Sequence, residues 1–304
     1  MYEHLSVTID STLYIIMTPD QVNSDDKPMD EVVIPTGIPS LDPLLFGGLP
    51  LGTLILLIGE SGAGCEEFTY TSTASLSQMK NDEGSRLAAN AILPEKILFV
   101  TMTRRKGDLV NEISRAFARD MKEELQHVEF FDLSDLFFEK SLVPLQWYSH
   151  HGNIIERMQS KTRLSDNILT ALANKLDQTP HRSILVLNTL TELATQFPTA
   201  REWPSFVAYI RGLQRALTIW NSCMYLILAN GVLNPWQECE LKDACDAVIH
   251  FQWEVSPTAK RQRILYIDKF RGILPQLEDK ELVKFLVKIT PAQGFEVNNI
   301  RAVV

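Results

Sequence analysis

Cysteine is scarce in this chain, four among 304 residues, and none stands in a CxxC pair or in register with paired histidines. That excludes a zinc knuckle, and Cys239 and Cys245, six apart, read as reduced thiols rather than part of a disulfide framework. No apolar run reaches the roughly 18 residues that a membrane-spanning helix needs. Met1–Asp10 lacks a basic start backed by an apolar core. The expectation is a soluble, unsecreted, cytoplasmic protein with no membrane partner. Positive charge is in deficit, 29 Lys and Arg against 38 Asp and Glu, for a net charge of −9. With a pI near 5.2, nonspecific binding to a polyphosphate backbone is not expected as the main activity. Compositional bias is missing too: 45% apolar and 22% charged residues exclude a disordered or collagenous chain.

What is present is an alternation of short apolar runs with helical stretches. Leu54–Ile58, Ile97–Thr101, Ser183–Leu187, Met224–Leu228 and Ala247–Phe251 are the kind of run that forms a strand buried on both faces. Between them, helices are expected over Glu66–Met79, Gly107–Glu123, Asp166–Asp177 and Pro204–Trp220, with Ser165 and Asp166 as a cap. Arg261–Asp268, Leu282–Thr290 and Gly294–Val297 read as antiparallel strands. The pattern predicts one α/β domain over 31–304, a mostly parallel sheet with an antiparallel C-terminal part. Residues 1–30 read as a peripheral arm and loop. Residues 134–165 fit no element and read as an insertion, carrying Trp147, Tyr148, His150 and His151.

The most informative stretch is Thr36–Phe68. A strand at Leu54–Ile58 runs into Gly59-Glu60-Ser61-Gly62-Ala63-Gly64, and a helix follows. Such a loop turns backbone N–H groups inward around an anion and aims a helix N-terminus at it. A working phosphate loop also needs a lysine on the β- and γ-phosphates and a hydroxyl on Mg²⁺. In GxxxxGK[ST] register, Gly59 and Gly64 match, but Cys65 holds the lysine position and Glu66 the hydroxyl position. Both groups are missing.

With Thr36-Gly37-Ile38-Pro39, Leu41-Asp42, Leu44-Leu45, Gly47-Gly48-Leu49-Pro50 and Gly52 ahead of it, the loop resembles the opening of KaiC-type ATPases of the RecA superfamily. The resemblance continues at Val100-Thr101-Met102, at Leu185–Leu193 and at Lys269-Phe270-Arg271-Gly272. It implies a RecA-like three-layer α/β sandwich and head-to-tail oligomers. It also implies that Lys269 and Arg271 reach a neighbouring subunit's nucleotide. Carried over position by position, the family's chemistry is absent. Its two catalytic glutamates map to Thr103 and Arg104, and its strand-end aspartate maps to Asn188.

Magnitudes weigh in the same direction. Charge-assisted bonds from the lysine are worth about 1.5–3 kcal/mol each. Glu66 adds a repulsion of about 1–4 kcal/mol toward a triphosphate 4 Å away. Together they weaken ATP binding on the order of a thousandfold. Glu66 and Glu67 in turn favour the helix dipole by about 0.3–1 kcal/mol each, replacing internally the negative charge a nucleotide would bring. The resulting expectation is no catalytic residue, no metal and no cofactor, with ATP and magnesium weak at best. The function expected is a pseudo-ATPase acting as a regulatory, assembly or adaptor subunit. Its partners would be itself or an active RecA/KaiC-like paralogue, and the family's distribution points to an archaeal source. Two alternatives stand beside it: a divergent KaiC-type ATPase that binds nucleotide through the loop backbone, and a nucleic-acid-associated RecA paralogue of the recombinase-modulator or Elongator kind. Of the remaining residues, Cys65 reads as a small structural thiol and Arg104-Arg105-Lys106 as a solvated loop. Glu192, Trp203, Trp236 and Trp253 read as packing or rim residues, and His150-His151 as a partner site rather than a metal site.

Overall fold

The computed structural model describes residues 6–9, 12–17, 31–81, 87–117, 121–139, 141–148, 167–256 and 259–303. The apolar runs of the sequence become parallel strands β5 (Leu54–Gly59), β6 (Ile97–Thr101), β8 (Ile184–Asn188), β9 (Cys223–Ala229) and β10 (Ala247–Val255). An edge strand, β7 (Val128–Asp132), joins them. Along β5 the side chains alternate between two cores. Ile55 and Leu57 pack with Phe68, Tyr70 and Leu76 of helix α1 (Cys65–Met79) and with Leu109 and Ile113 of α2 (Lys106–Ala116). Leu54, Leu56 and Ile58 point to the opposite face. There they meet α5 (Ile168–Asp177), α6 (Leu190–Thr195), α7 (Trp203–Trp220) and α8 (Pro235–Ala244). Helices on both faces of one sheet make three layers, which is why β5, β6, β8 and β9 are apolar along nearly their whole length rather than at every second position, while β10 turns polar beyond its pairing with β5.

The sheet has eleven strands in the order β1-β2-β13-β12-β11-β10-β5-β9-β8-β6-β7. From β10 to β7 all neighbours run parallel. Beyond β10 the sheet continues antiparallel through β11 (Arg261–Phe270), β12 (Lys284–Thr290) and β13 (Gly294–Val303). The hairpin of β1 (Ser6–Ile9) and β2 (Thr12–Met17) pairs with β13 at that edge. The RecA-like α/β architecture expected from the sequence is thus present. A small two-stranded ladder, β3 (Val33–Ile34) with β4 (Leu49–Pro50), frames the Thr36–Asp42 signature.

Several expected boundaries move. The helix expected over Gly107–Glu123 ends at Ala116, where the chain turns back and Ser114 Oγ accepts from Met121 N at 3.1 Å. It must turn there to feed the edge strand β7, which the sequence pattern did not reveal. Within the segment read as irregular, α3 (Ser134–Phe138) and α4 (Leu145–Tyr148) are short helices. His150, His151, Ser165, Asp166 and the Thr18–Met29 loop lie outside the described residues. The cap of α5 is Asn167, whose Oδ1 accepts from Leu169 N at 2.9 Å. Among the described residues no helix is long and apolar enough to cross a membrane.

Candidate functional site

Because β5, β6 and β8 are parallel, their C-terminal ends share one edge of the sheet, and β5 lies where the chain order switches sides. In open α/β sheets that is the crevice where ligands bind. The edge gathers Gly59–Gly64, Thr101–Arg104 and Asn188 without any further device. The loop is tied down from both neighbours: Glu60 N donates to Phe251 O at 2.9 Å and Asn230 N to Gly59 O at 2.9 Å. Ala63 N closes a turn on Glu60 O at 3.0 Å. Gly64 has φ +110°, a conformation that side chains rarely adopt. A Cβ there would also sit 3.0 Å from Ile289 Cδ1. Helix α1 then starts at Cys65 with Glu66 and Glu67 in its first turn.

Cys65 lies beneath the loop, only 7% exposed, with Sγ 4.0 Å from Leu57 O. A Cβ at Gly59 would approach Cys65 Cβ to 2.7 Å, so glycine at 59 is what lets residue 65 tuck under. Burial, reinforced by Glu66 and Glu67, pushes the thiol well above its ordinary range. A thiolate is the reactive form. Burial likewise pushes Cys223 and Cys245 up to about 12. Cys239 alone among the four is exposed. With a thiol-specific reagent, one thiol per chain should therefore react in the folded protein and four after unfolding. Rapid labelling of Cys65 would contradict its placement.

Around Glu66 the charges form a chain. Arg104 Nη1 lies 3.9 Å from Glu66 Oε2 and makes a close ion pair with Glu112 of α2. Tyr70, one helical turn beyond Glu66, donates from its hydroxyl to Glu66 Oε2 at 3.4 Å. Arg104 is fixed through its backbone, donating N–H to Thr101 Oγ1 at 3.2 Å while its carbonyl accepts from the same hydroxyl at 2.7 Å. Burial raises the Glu66 carboxyl above its usual value, Arg104 offsets part of the rise, and Glu112 and Glu67 add to it. Glu192 also rises through burial, with the Arg104 charge opposing. It accepts from Thr189 Oγ1 just past the end of β8. Asn188 is buried, and by distance and angle its Nδ2 has no hydrogen-bond partner among the described residues, although its amide lies close enough to the Tyr70 hydroxyl to act on it. Thr103 is half-buried beside Arg104. The edge thus carries a guanidinium held among carboxylates and, at Asn188, an amide without charge.

The other sequence candidates have in-chain partners. Lys269 Nζ donates to the carbonyls of Lys242, Asp243 and Cys245 at 2.8, 3.2 and 2.7 Å, closing the C-terminus of α8. Arg271 Nη1 pairs with Asp246 Oδ1 at 2.9 Å, and Asp246 Oδ2 accepts from Leu54 N at the foot of β5. Trp203 is core, donating Nε1 to Glu240 at 2.7 Å, and Trp236 is half exposed against it. Arg105 reaches the Trp147 carbonyl at 3.0 Å. No group of three or more His, Cys, Asp or Glu suited to a metal occurs among the described residues.

Three groups were not singled out from sequence. Tyr70 follows Glu66 by four on one helix and was legible as such. Glu112 follows Arg104 by eight, two turns into the helix α2 that begins just after Arg104. Arg261 and Arg263 flank Trp253 through the β10–β11 register, in which Trp253 faces Arg263 and Val255 faces Arg261.

The chain is a three-layer α/β fold with a glycine loop at the sheet's switch point, and its fold is KaiC-like. Among solved structures it is similar to the crystal structure of a KaiC-like protein from the hyperthermophilic archaeon Pyrococcus horikoshii. The likeness covers 87% of this chain and 98% of that one, with a TM-score of 0.53 and 19% sequence identity. At that identity the likeness carries the fold. No protein-family model and no curated protein matches the sequence.

Proposed function

We propose that this chain is a KaiC-like pseudo-ATPase, a regulatory, assembly or adaptor subunit that acts through head-to-tail oligomers rather than by hydrolysis. One observation carries the reading: the Glu66–Arg104–Glu112 chain of charges. Phosphoryl transfer needs a cation on the transferred phosphate, a metal held by a hydroxyl and carboxylate, and a base for water. At the corresponding places stand the buried Cys65 thiol, the Glu66 carboxylate, the uncharged Asn188 and the Arg104 guanidinium already in ion pairs. A triphosphate entering the loop would face Glu66, and Arg104 would have to leave Glu112 to meet it. Lys269 and Arg271, the pair offered to a neighbour in the resemblance, are anchored in their own chain, so an assembly role would rest on other contacts.

Thermal denaturation with and without millimolar MgATP tests this. Ligand at a hundred times its dissociation constant adds about 2.7 kcal/mol of stability, so a binding-competent loop would announce itself as a shift of several degrees. The expected result is no magnesium-dependent shift, measured against ATP in EDTA. Restoring the missing groups in a Cys65→Lys, Glu66→Thr double variant should bring nucleotide binding back by a factor on the order of a thousand. A wild-type protein that melts several degrees higher with MgATP than with ATP in EDTA, or a double variant that stays blind to MgATP, would reject the reading.

A further inference from the structure

We propose that the stack of Arg261, Trp253 and Arg263 on the outer lip of the glycine loop is a binding site for a phosphate monoester, working without magnesium. The three side chains come from neighbouring antiparallel strands. The Arg261 guanidinium lies 3.9 Å from the Trp253 ring centroid and that of Arg263 4.5 Å from the same centroid. Each contact is a cation–π arrangement. Trp253 is fixed in turn. Its Nε1 donates to Ser61 O at 3.1 Å and its backbone N–H to Glu60 Oε2 at 3.1 Å.

The two guanidiniums are unneutralised. Among the described residues no carboxylate lies within ion-pair distance of Arg261 or Arg263, in a chain whose net charge is −9. Glu60, on the loop beneath Trp253, accepts from the Trp253 backbone N–H. Arg263 donates Nε to Gly62 O at 2.9 Å, its one hydrogen bond among the described residues, and Arg261 is exposed. Because both guanidiniums lie against the same ring, they are no more than about 8 Å apart, close enough for their charges to act together on one anion at this lip. Two arginines on one fixed ring suit a single phosphate group, not a polyanion track, which needs many cations and a series of stacking faces. A phosphate monoester dianion offers more acceptors and charge than a carboxylate, and Arg forks match it bidentately. The Gly62 carbonyl faces Arg263, so this site lies outside the loop and does not depend on the Cys65 and Glu66 positions.

The phosphate could be carried by a small nucleotide or by a phosphorylated side chain of a protein partner. Isothermal titration calorimetry in EDTA separates the two, using inorganic phosphate, ADP, and a serine peptide with its phosphoserine counterpart at matched ionic strength. Saturable binding of inorganic phosphate is expected. A tighter fit of ADP assigns the small-molecule source, and a tighter fit of the phosphopeptide assigns the protein source. Arg261→Gln, an exposed change that leaves the fold intact, should weaken every such ligand about tenfold, and Arg261→Lys should recover part of the loss. No saturable heat for any of the three phosphate ligands, or affinities unchanged in Arg261→Gln, would overturn the proposal. Binding inside the loop would instead require magnesium and survive Arg261→Gln, so failure of this site and failure of the pseudo-ATPase reading give different results.

Discussion

Replacing Phe68 by Ala is expected to cost about 3–5 kcal/mol of unfolding free energy, the range for removing a fully buried aromatic side chain. Phe68, 1% exposed, sits on the first turns of α1. Its ring meets Tyr225 of β9 at 5.4 Å, Phe251 of β10 at 5.5 Å and Phe295 of β13 at 5.4 Å between centroids, each edge-on. Such pairs contribute about 0.5–1.5 kcal/mol beyond area burial. One side chain therefore ties the loop helix to the parallel sheet and to its antiparallel extension at once. The Phe68→Leu change, which keeps most of the volume, should cost less than half as much. Urea denaturation followed by circular dichroism reads both. A loss below about 1 kcal/mol for Phe68→Ala would mean that the cluster does not join the two halves of the sheet.

Asp42→Ala is the second large effect, about 2–4 kcal/mol, because its carboxylate satisfies three donors at once. Oδ1 accepts from Thr36 N and Thr36 Oγ1, each at 2.6 Å, and Oδ2 from Gly37 N at 3.2 Å. Without it, donors next to a fully buried Thr36 face apolar neighbours. The same residue gives a pH signature. Burial pushes the Asp42 carboxyl up to about 6 from its ordinary 3.8, against the pull of the three donors. The folded chain thus holds this proton more tightly than the unfolded chain does. Its stabilising contribution is complete below about pH 4 and is lost as pH rises through 6. Asn at 42 cannot titrate. The stability difference between wild type and Asp42→Asn should therefore move by about 2–2.5 kcal/mol in favour of wild type when pH falls from 7 to 4. A difference that stays flat across that window would place the Asp42 carboxyl near its ordinary value.

Asp42 also explains why a short sequence signature identified the fold so early. Thr36 and Asp42 are six apart, and their side chains close a turn on themselves, so the pattern is a local hydrogen-bonding unit readable without the rest of the chain. The same holds for the strands of the parallel core. Ile97–Thr101 is apolar at every position because both faces are covered, and its boundaries in the structure are those of the run. The edge strand Val128–Asp132 escaped because its pattern, VEFFD, mixes half-exposed with buried positions, as an outermost strand allows.

What the sequence determined by itself was the scaffold and a list of substitutions: a glycine loop after a buried strand, with Cys65, Glu66, Thr103, Arg104 and Asn188 at the positions where the resemblance expects chemistry. Those facts depend on residue identity and short spacing. What Glu66 and Arg104 do with their charges was decided largely by tertiary structure, since α1 must pack beside the end of β6 before Glu66 faces Arg104, which also pairs with Glu112 eight residues on in α2. The same is true of Lys269, whose ammonium closes the end of α8 instead of projecting from its strand. It is true again of Arg261 and Arg263, which gather on Trp253 through a register between β10 and β11. Ionic partners distant in sequence carry no periodic signal, because electrostatic attraction depends on where backbones bring side chains and not on their order along the chain.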